Sequence, residues 1–94
     1  MTGIDVRCTP DGDGWSCRVT VREGASSTHH EVRVHRSELD RLAPGGTGPE
    51  ALIRAAFAFL LEREPKESIL RAFDLAVIGR YFPGWEADVR RRLG

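Results

Sequence analysis

The first third of the chain alternates apolar and polar residues with a period of two, in three separate runs. Apolar side chains recur at every second position within residues 3–9, 15–22 and 28–35. This pattern is typical of β-strands that bury one face and expose the other to water. Short connectors rich in glycine and small or acidic residues separate the runs. Such links are too short for a crossover, so we predict a three-stranded antiparallel meander.

Helical periodicity replaces the alternation after the third run. Ser37, followed by an acid at Asp40, predicts the capped start of a short helix over 37–43. Thr47, two residues before a proline, predicts the N-cap of a longer helix over 49–64. The next proline disfavours helical dihedral angles in the residue before it, which sets the predicted end of this longer helix.

The apolar residues of the 49–64 helix spread over roughly 200° of its circumference, whereas a surface helix typically needs a stripe of about 100°. This helix is therefore predicted to be the central pillar of the domain or to be covered on a second side by another chain. Shorter apolar patterns predict three further helices over 65–73, 75–82 and 85–93. Residues 1–94 are thus predicted to form a single α+β domain, with the apolar face of the meander on the 49–64 helix.

One segment of the helical half carries a resemblance. The run FLLEREPKESILRAFDLAVIGRYFPGWE, from Phe59 to Glu86, covers about a third of the chain. It resembles the C-terminal block of a group of small uncharacterised bacterial proteins, in which an LLERE-P segment leads into SIL..F.L and then I..YFP, an aromatic residue and Glu. The resemblance implies a bacterial protein that recurs as a unit. It implies no activity, cofactor or catalytic residue.

Composition narrows the classes of function. The 14 basic and 14 acidic residues balance to a net charge of zero, which removes the general electrostatic argument for nucleic-acid binding. No signal-peptide pattern is visible at the start of the chain, and no apolar run approaches the roughly 20 residues needed to span a bilayer. A cytoplasmic protein without membrane association is therefore predicted, with its 2 cysteines as reduced thiols rather than a disulfide.

Three residues are candidate metal ligands. Cys8, Cys17 and His30 all fall on the apolar face of the predicted strands. If the first turn centres on Gly12-Asp13, Cys8 lies opposite Cys17, and if the second centres on Glu23-Gly24, Cys17 lies opposite His30. The two thiolates and the imidazole then form a row that suits zinc. The alternative is three separate inward-pointing residues, with each cysteine a small apolar side chain and the histidine bonded to a carbonyl. The sequence offers no paired ligand spacing and no fourth ligand, so we predict no metal and no cofactor.

The functional prediction is a small non-catalytic interaction or accessory protein that self-associates, or binds a protein partner, through its helical half. Aromatic residues beside a rigid turn are typical contact anchors. The candidate contact residues are Tyr81, Phe82, Trp85, Phe57 and Leu61. The alternative is an antitoxin-like regulator associated with nucleic acid, which would use the basic run Arg90, Arg91 and Arg92. No nucleophile motif or phosphate-binding loop indicates an enzyme.

Overall fold

The computed structural model describes residues 2–94; Met1, the first residue of the predicted domain, lies outside the described residues. The three long strands are β1 (Thr2–Asp11), β2 (Gly14–Glu23) and β3 (Ser26–His35). Both neighbouring pairs are antiparallel, which confirms the predicted meander. Each strand is longer than predicted, because the pairing continues up to the turns and includes polar residues that alternation alone does not mark.

Two-residue loops join the three strands. Gly12 and Gly24 each take the first loop position with a positive φ, 61° and 57°, where a side chain would be strained. The first loop, Gly12-Asp13, lies where the sequence predicts it. The second loop is Gly24-Ala25, one residue later than predicted, because Glu23 still pairs with Ser26. Moving a hairpin centre by one residue moves every cross-strand partner by two.

The predicted helix over 65–73 is wrong. A single 3₁₀ turn, Lys66–Ser68, is followed by extended chain and by a short fourth strand, β4 (Ala72–Asp74). This strand pairs parallel to β3, giving a mixed sheet in the order β1-β2-β3-β4. The amide of Glu31 in β3 donates to the carbonyl of Arg71 at 2.7 Å. Pairing with β3, about forty residues earlier in the chain, thus makes this segment extended. Local hydrophobic periodicity gives no sign of that pairing.

The first two helices form close to the predicted positions, but neither uses the predicted cap. Helix α1 (Arg36–Leu42) begins earlier, and the carboxylate of Glu38 accepts a 2.8 Å bond from the amide of His35. Glu38 therefore caps the start of this helix, the role that was predicted for the Ser37–Asp40 pair. Helix α2 (Pro49–Leu61) has Gly48 as its N-cap, so Thr47 does not cap it. The helix ends three residues short of the predicted boundary, in a turn before Pro65.

The last part of the chain agrees more closely with prediction. A 3₁₀ turn, Leu75–Val77, runs directly into α3 (Ile78–Tyr81), so the segment predicted as a 75–82 helix is helical except for its last residue. Helix α4 (Trp85–Leu93) has the predicted bounds.

Helix α2 is the pillar of the core. It packs against β1 and β2 on one side and against α4 on another. Its wide apolar arc is therefore covered within the chain, as the first of the two predicted arrangements requires. The arc needs no second chain to bury it. The buried apolar residues of α2 are Leu52, Ile53, Ala55, Ala56, Phe57, Phe59 and Leu60.

Candidate functional site

The structure does not bring Cys8, Cys17 and His30 together as a metal site. Cys8 lies directly opposite Cys17, and the two are joined by a disulfide, so the prediction of reduced thiols is wrong. The shifted second turn places Val32 opposite Cys17, and His30 opposite Val19. Within residues 2–94, no group of three or more His, Cys, Asp or Glu side chains is arranged to hold a metal ion.

His30 is instead a buried, fully bonded core residue. Its Nδ1 lies 2.7 Å from the carbonyl oxygen of Leu70, and its Nε2 lies 2.9 Å from the hydroxyl of Thr28. Since a carbonyl can only accept, Nδ1 carries the proton and Nε2 accepts from Thr28. Burial lowers the pKa of His30, and the Leu70 carbonyl partly opposes that effect. The residue fastens β3 to the segment that leads into β4.

The run of arginines at the C-terminus is bonded within the chain. Arg92 pairs with Glu62 at 2.7 Å and also with Asp88. Arg91 pairs with Asp88 at 3.0 Å, and Arg90 donates to the carbonyl of Arg41 at 3.3 Å. The guanidinium of Arg92 lowers the pKa of both Glu62 and Asp88. These contacts fix α4 to its neighbours and leave less positive charge for a phosphate backbone.

The five candidate contact residues have different environments. Phe57 and Trp85 are buried in the core, so this fold does not offer them to a partner. Phe82 and Leu61 are half-buried and pack against the core. Phe82 also meets the ring of Phe59 edge-on. Tyr81 alone among the five is exposed, with 66% of its surface accessible. The turn that carries Tyr81, Phe82 and Trp85 thus closes the core with Phe82 and Trp85 and presents Tyr81 to solvent.

An apolar cleft lies beside Tyr81. It encloses about 190 Å³ between the end of α2, the segment leading into β4, and α3. The two large apolar residues that are exposed in the described chain, Tyr81 and Leu70 (47% exposed), both line it. Its floor is formed by residues that the core also uses, among them Leu60, Ile69, Phe73 and Ile78. Exposed apolar side chains that converge on one concavity mark a binding surface more strongly than scattered ones do.

Two polar residues line the same cleft. Glu64 and Ser68 lie among its apolar walls, and Glu64 makes no ion pair with any residue that the structure describes. Nearby, Lys66 is only 4% exposed and pairs with Glu67 at 2.7 Å and with Glu23 at 3.3 Å. The carboxylate of Glu67, and then that of Glu23, raises the pKa of Lys66. These ion pairs, in which the lysine is buried and both carboxylates are exposed, tie the cleft-forming segment to the end of β2.

Sequence reasoning missed Leu70 and Glu64 because both fell in segments interpreted as regular helix. Leu70 was predicted to lie within a 65–73 helix, and Glu64 at the end of the 49–64 helix. Both belong instead to the irregular connection between α2 and β4. The usable signal was the apolar content of residues 65–73, since only three large apolar residues in nine are thin support for an independent helix.

Comparisons of the chain with protein-family models, with curated proteins and with solved structures find no match. Among residues 2–94, the helices are too short or too polar for any of them to cross a membrane.

Proposed function

We propose that this chain is a small non-catalytic interaction protein that binds a protein partner through its helical half, at the Leu70–Tyr81 cleft. The observation that carries the proposal is the convergence of Leu70 and Tyr81 on one apolar concavity. A tyrosine with its body on an apolar wall and its hydroxyl in water is a common contact anchor.

The size of the cleft favours a side chain over a free ligand. Small-molecule sites usually enclose about 300–1,000 Å³. This cleft encloses about 190 Å³, enough for one or two apolar side chains. Glu64 adds an acidic group without an ion pair in the described part of the chain. The partner is therefore expected to insert an aliphatic or aromatic side chain and to place a lysine or arginine beside it.

Selection from a library of displayed random peptides tests this proposal. Leu70→Lys places a charge in the cleft, and Ala87→Lys places the same charge on the exposed side of α4 as a matched control. Peptides enriched on the wild-type protein should share an apolar anchor next to a basic residue. They should bind the Ala87→Lys protein equally well and the Leu70→Lys protein at least about tenfold more weakly, since a central contact is worth upward of 1 kcal/mol. Equal binding to all three proteins, or no enrichment at all, contradicts the proposal.

A further inference from the structure

The outer edge of β1 is open. Strand β1 pairs only with β2, at one end of the sheet. The Cα atoms of Cys8 and Cys17 are 4.0 Å apart, the close spacing of a pair without mutual backbone hydrogen bonds. Because the two kinds of pair alternate along an antiparallel ladder, the N–H and C=O groups of Ile4, Val6 and Cys8 point away from β2. A ready row of donors and acceptors on an edge strand is a template for another strand.

Two further observations support the conclusion that these N–H and C=O groups point away from β2. The guanidinium of Arg54 in α2 reaches the carbonyl of Ile4 from outside the sheet, at 3.4 Å. Pro10, which has no N–H, occupies the same class of position as Cys8, where β2 requires no donor. Apart from the Arg54 contact, the outward groups of Ile4, Val6 and Cys8 have no hydrogen-bond partner within residues 2–94.

The sequence of β1 is complementary to itself about Val6. In an antiparallel pair of two β1 strands centred there, Asp5 faces Arg7 of the other strand, and Ile4 faces Cys8. Each charge pair and each apolar pair then occurs twice, as a two-fold axis requires. A shift of one residue in either strand would place charged side chains opposite apolar ones.

We propose that a second copy of this chain pairs with β1 in that register, joining the two sheets into one of eight strands. Opposite charges would face each other across the strands on the wet face, where Arg7 has no ion-pair partner in the described residues and Asp5 pairs with Arg22. The half-buried Ile4 and Val6 would be covered on the core side. Pro10 limits the pairing at its outer end.

Helix α2 presents small side chains near the edge that the second copy would use. Arg54 contacts the β1 edge, so the side of α2 that carries Arg54 also brings Ala51 and Ala58, one turn away on each side, toward that edge. Both alanines are half-buried and small. Arg54 must release the Ile4 carbonyl to an incoming amide, and its contact is long and exposed, so this exchange is easy. Arg54→Ala should therefore leave the dimer as strong or stronger.

This dimer is independent of the proposed cleft. The cleft adjoins β4, at the opposite edge of the sheet from β1, and three strand spacings of about 4.8 Å separate those two strands. A dimer paired through β1 would present two clefts at its two ends. Failure of either proposal leaves the other standing.

A charge-exchange cycle followed by analytical ultracentrifugation tests the register. Asp5→Arg and Arg7→Asp each place like charges opposite one another twice in the dimer, so each should raise the dimer dissociation constant about tenfold. The double variant restores opposite charges and should restore dimerisation. Circular dichroism shows whether each variant remains folded. A double variant that stays as weak as the single ones overturns the register.

Amide hydrogen exchange gives a readout that does not need a variant. As the concentration of wild-type protein rises, the amides of Ile4, Val6 and Cys8 should become protected. The intervening amides of Asp5 and Arg7, already bonded to β2, should not change. A protein that remains monomeric at its highest attainable concentration overturns the proposal. So does a dimer that protects the cleft residues, 68–82, in place of β1.

Discussion

At the scale of single residues, His30 connects the sheet to the segment that was wrongly predicted as a helix over 65–73. Period-two alternation correctly predicts that Cys8, Cys17 and His30 all point toward the core. A register shift of two residues changes the cross-strand partners but leaves each side chain on the same face of the sheet. The predicted turn positions also place Cys8 opposite Cys17 correctly, but they misplace His30, because the second loop is centred one residue later than its composition suggests. A carbonyl-bonded core histidine was one of the two alternatives, and the structure supports it.

The buried His30 predicts a pH dependence of stability. Its pKa is lowered in the folded protein by burial, assisted by the charges of Arg71 and His29. The unfolded chain therefore takes up the proton first, near the ordinary histidine pKa of about 6.5. The free energy of unfolding should be constant with respect to this group above that pH, and should fall as the pH drops through the interval down to the folded pKa.

Urea titrations at a series of pH values between about 4 and 8 measure this effect. His30→Gln removes the titrating ring and should abolish the His30 part of the slope, at some cost in stability. His29→Gln, on the exposed face next to it, is the matched control and should keep most of the slope, because the charge of His29 is the smallest of the causes that lower the pKa of His30. If His30→Gln and the wild type show parallel profiles, the residue does not titrate in this way.

At the scale of elements, the sequence predicts the meander well and β4 not at all. The three long strands are recognisable in the sequence because each buries one face in the core, which requires apolar and polar residues to alternate. β4 has three residues, and its pairing depends on β3 rather than on its own composition. Ile69, Leu70 and Phe73 have a spacing that a helix would also give, and only the contact with Glu31 and His30 decides against it.

The β1–β2 hairpin is cross-linked, which predicts that reductant destabilises the protein. The disulfide closes a loop between residues nine apart, and the entropy it removes from the unfolded chain is worth about 2–3 kcal/mol by loop-closure arithmetic. Denaturant unfolding with and without reductant should differ by that amount. The sheet should persist after reduction, since β2 is still paired along its length with β3.

The double variant Cys8→Ala/Cys17→Ala is the control for this prediction, because its unfolding should not respond to reductant. A wild-type protein whose unfolding midpoint is the same in both buffers would show that the bond contributes nothing to stability. Free thiols counted by alkylation before unfolding establish that the bond is present in the starting sample.

At the scale of the whole molecule, one helix organises the packing. The width of the apolar arc on α2 predicts a helix covered on two sides, and the covers are the sheet and α4. The sequence could not decide between α4 and a second chain, because that depends on how the chain returns after β4. The same uncertainty placed Phe57 and Tyr81 together as contact residues, although one lies in the core and the other on the surface.

Separate substitutions at these two positions should therefore have opposite consequences. Phe57 is fully buried and contacts the rings of His30 and Phe73, so Phe57→Ala should lower the free energy of unfolding by about 3–5 kcal/mol. Tyr81→Ala removes a ring that is 66% exposed, and its effect on stability should stay within about 0.5 kcal/mol. Denaturant unfolding of the two variants measures both changes.

Peptide binding completes the comparison. Tyr81→Ala should lose most of its affinity for cleft-selected peptides while remaining folded, because the tyrosine ring forms one wall of the cleft. Peptide affinity measured on folded Phe57→Ala protein, at a temperature well below its transition, should change less. A Tyr81→Ala protein that is strongly destabilised would assign Tyr81 to the core with Trp85. One that is stable and still binds would remove Tyr81 from the cleft's function and leave Leu70 as the exposed large apolar residue that anchors the peptide.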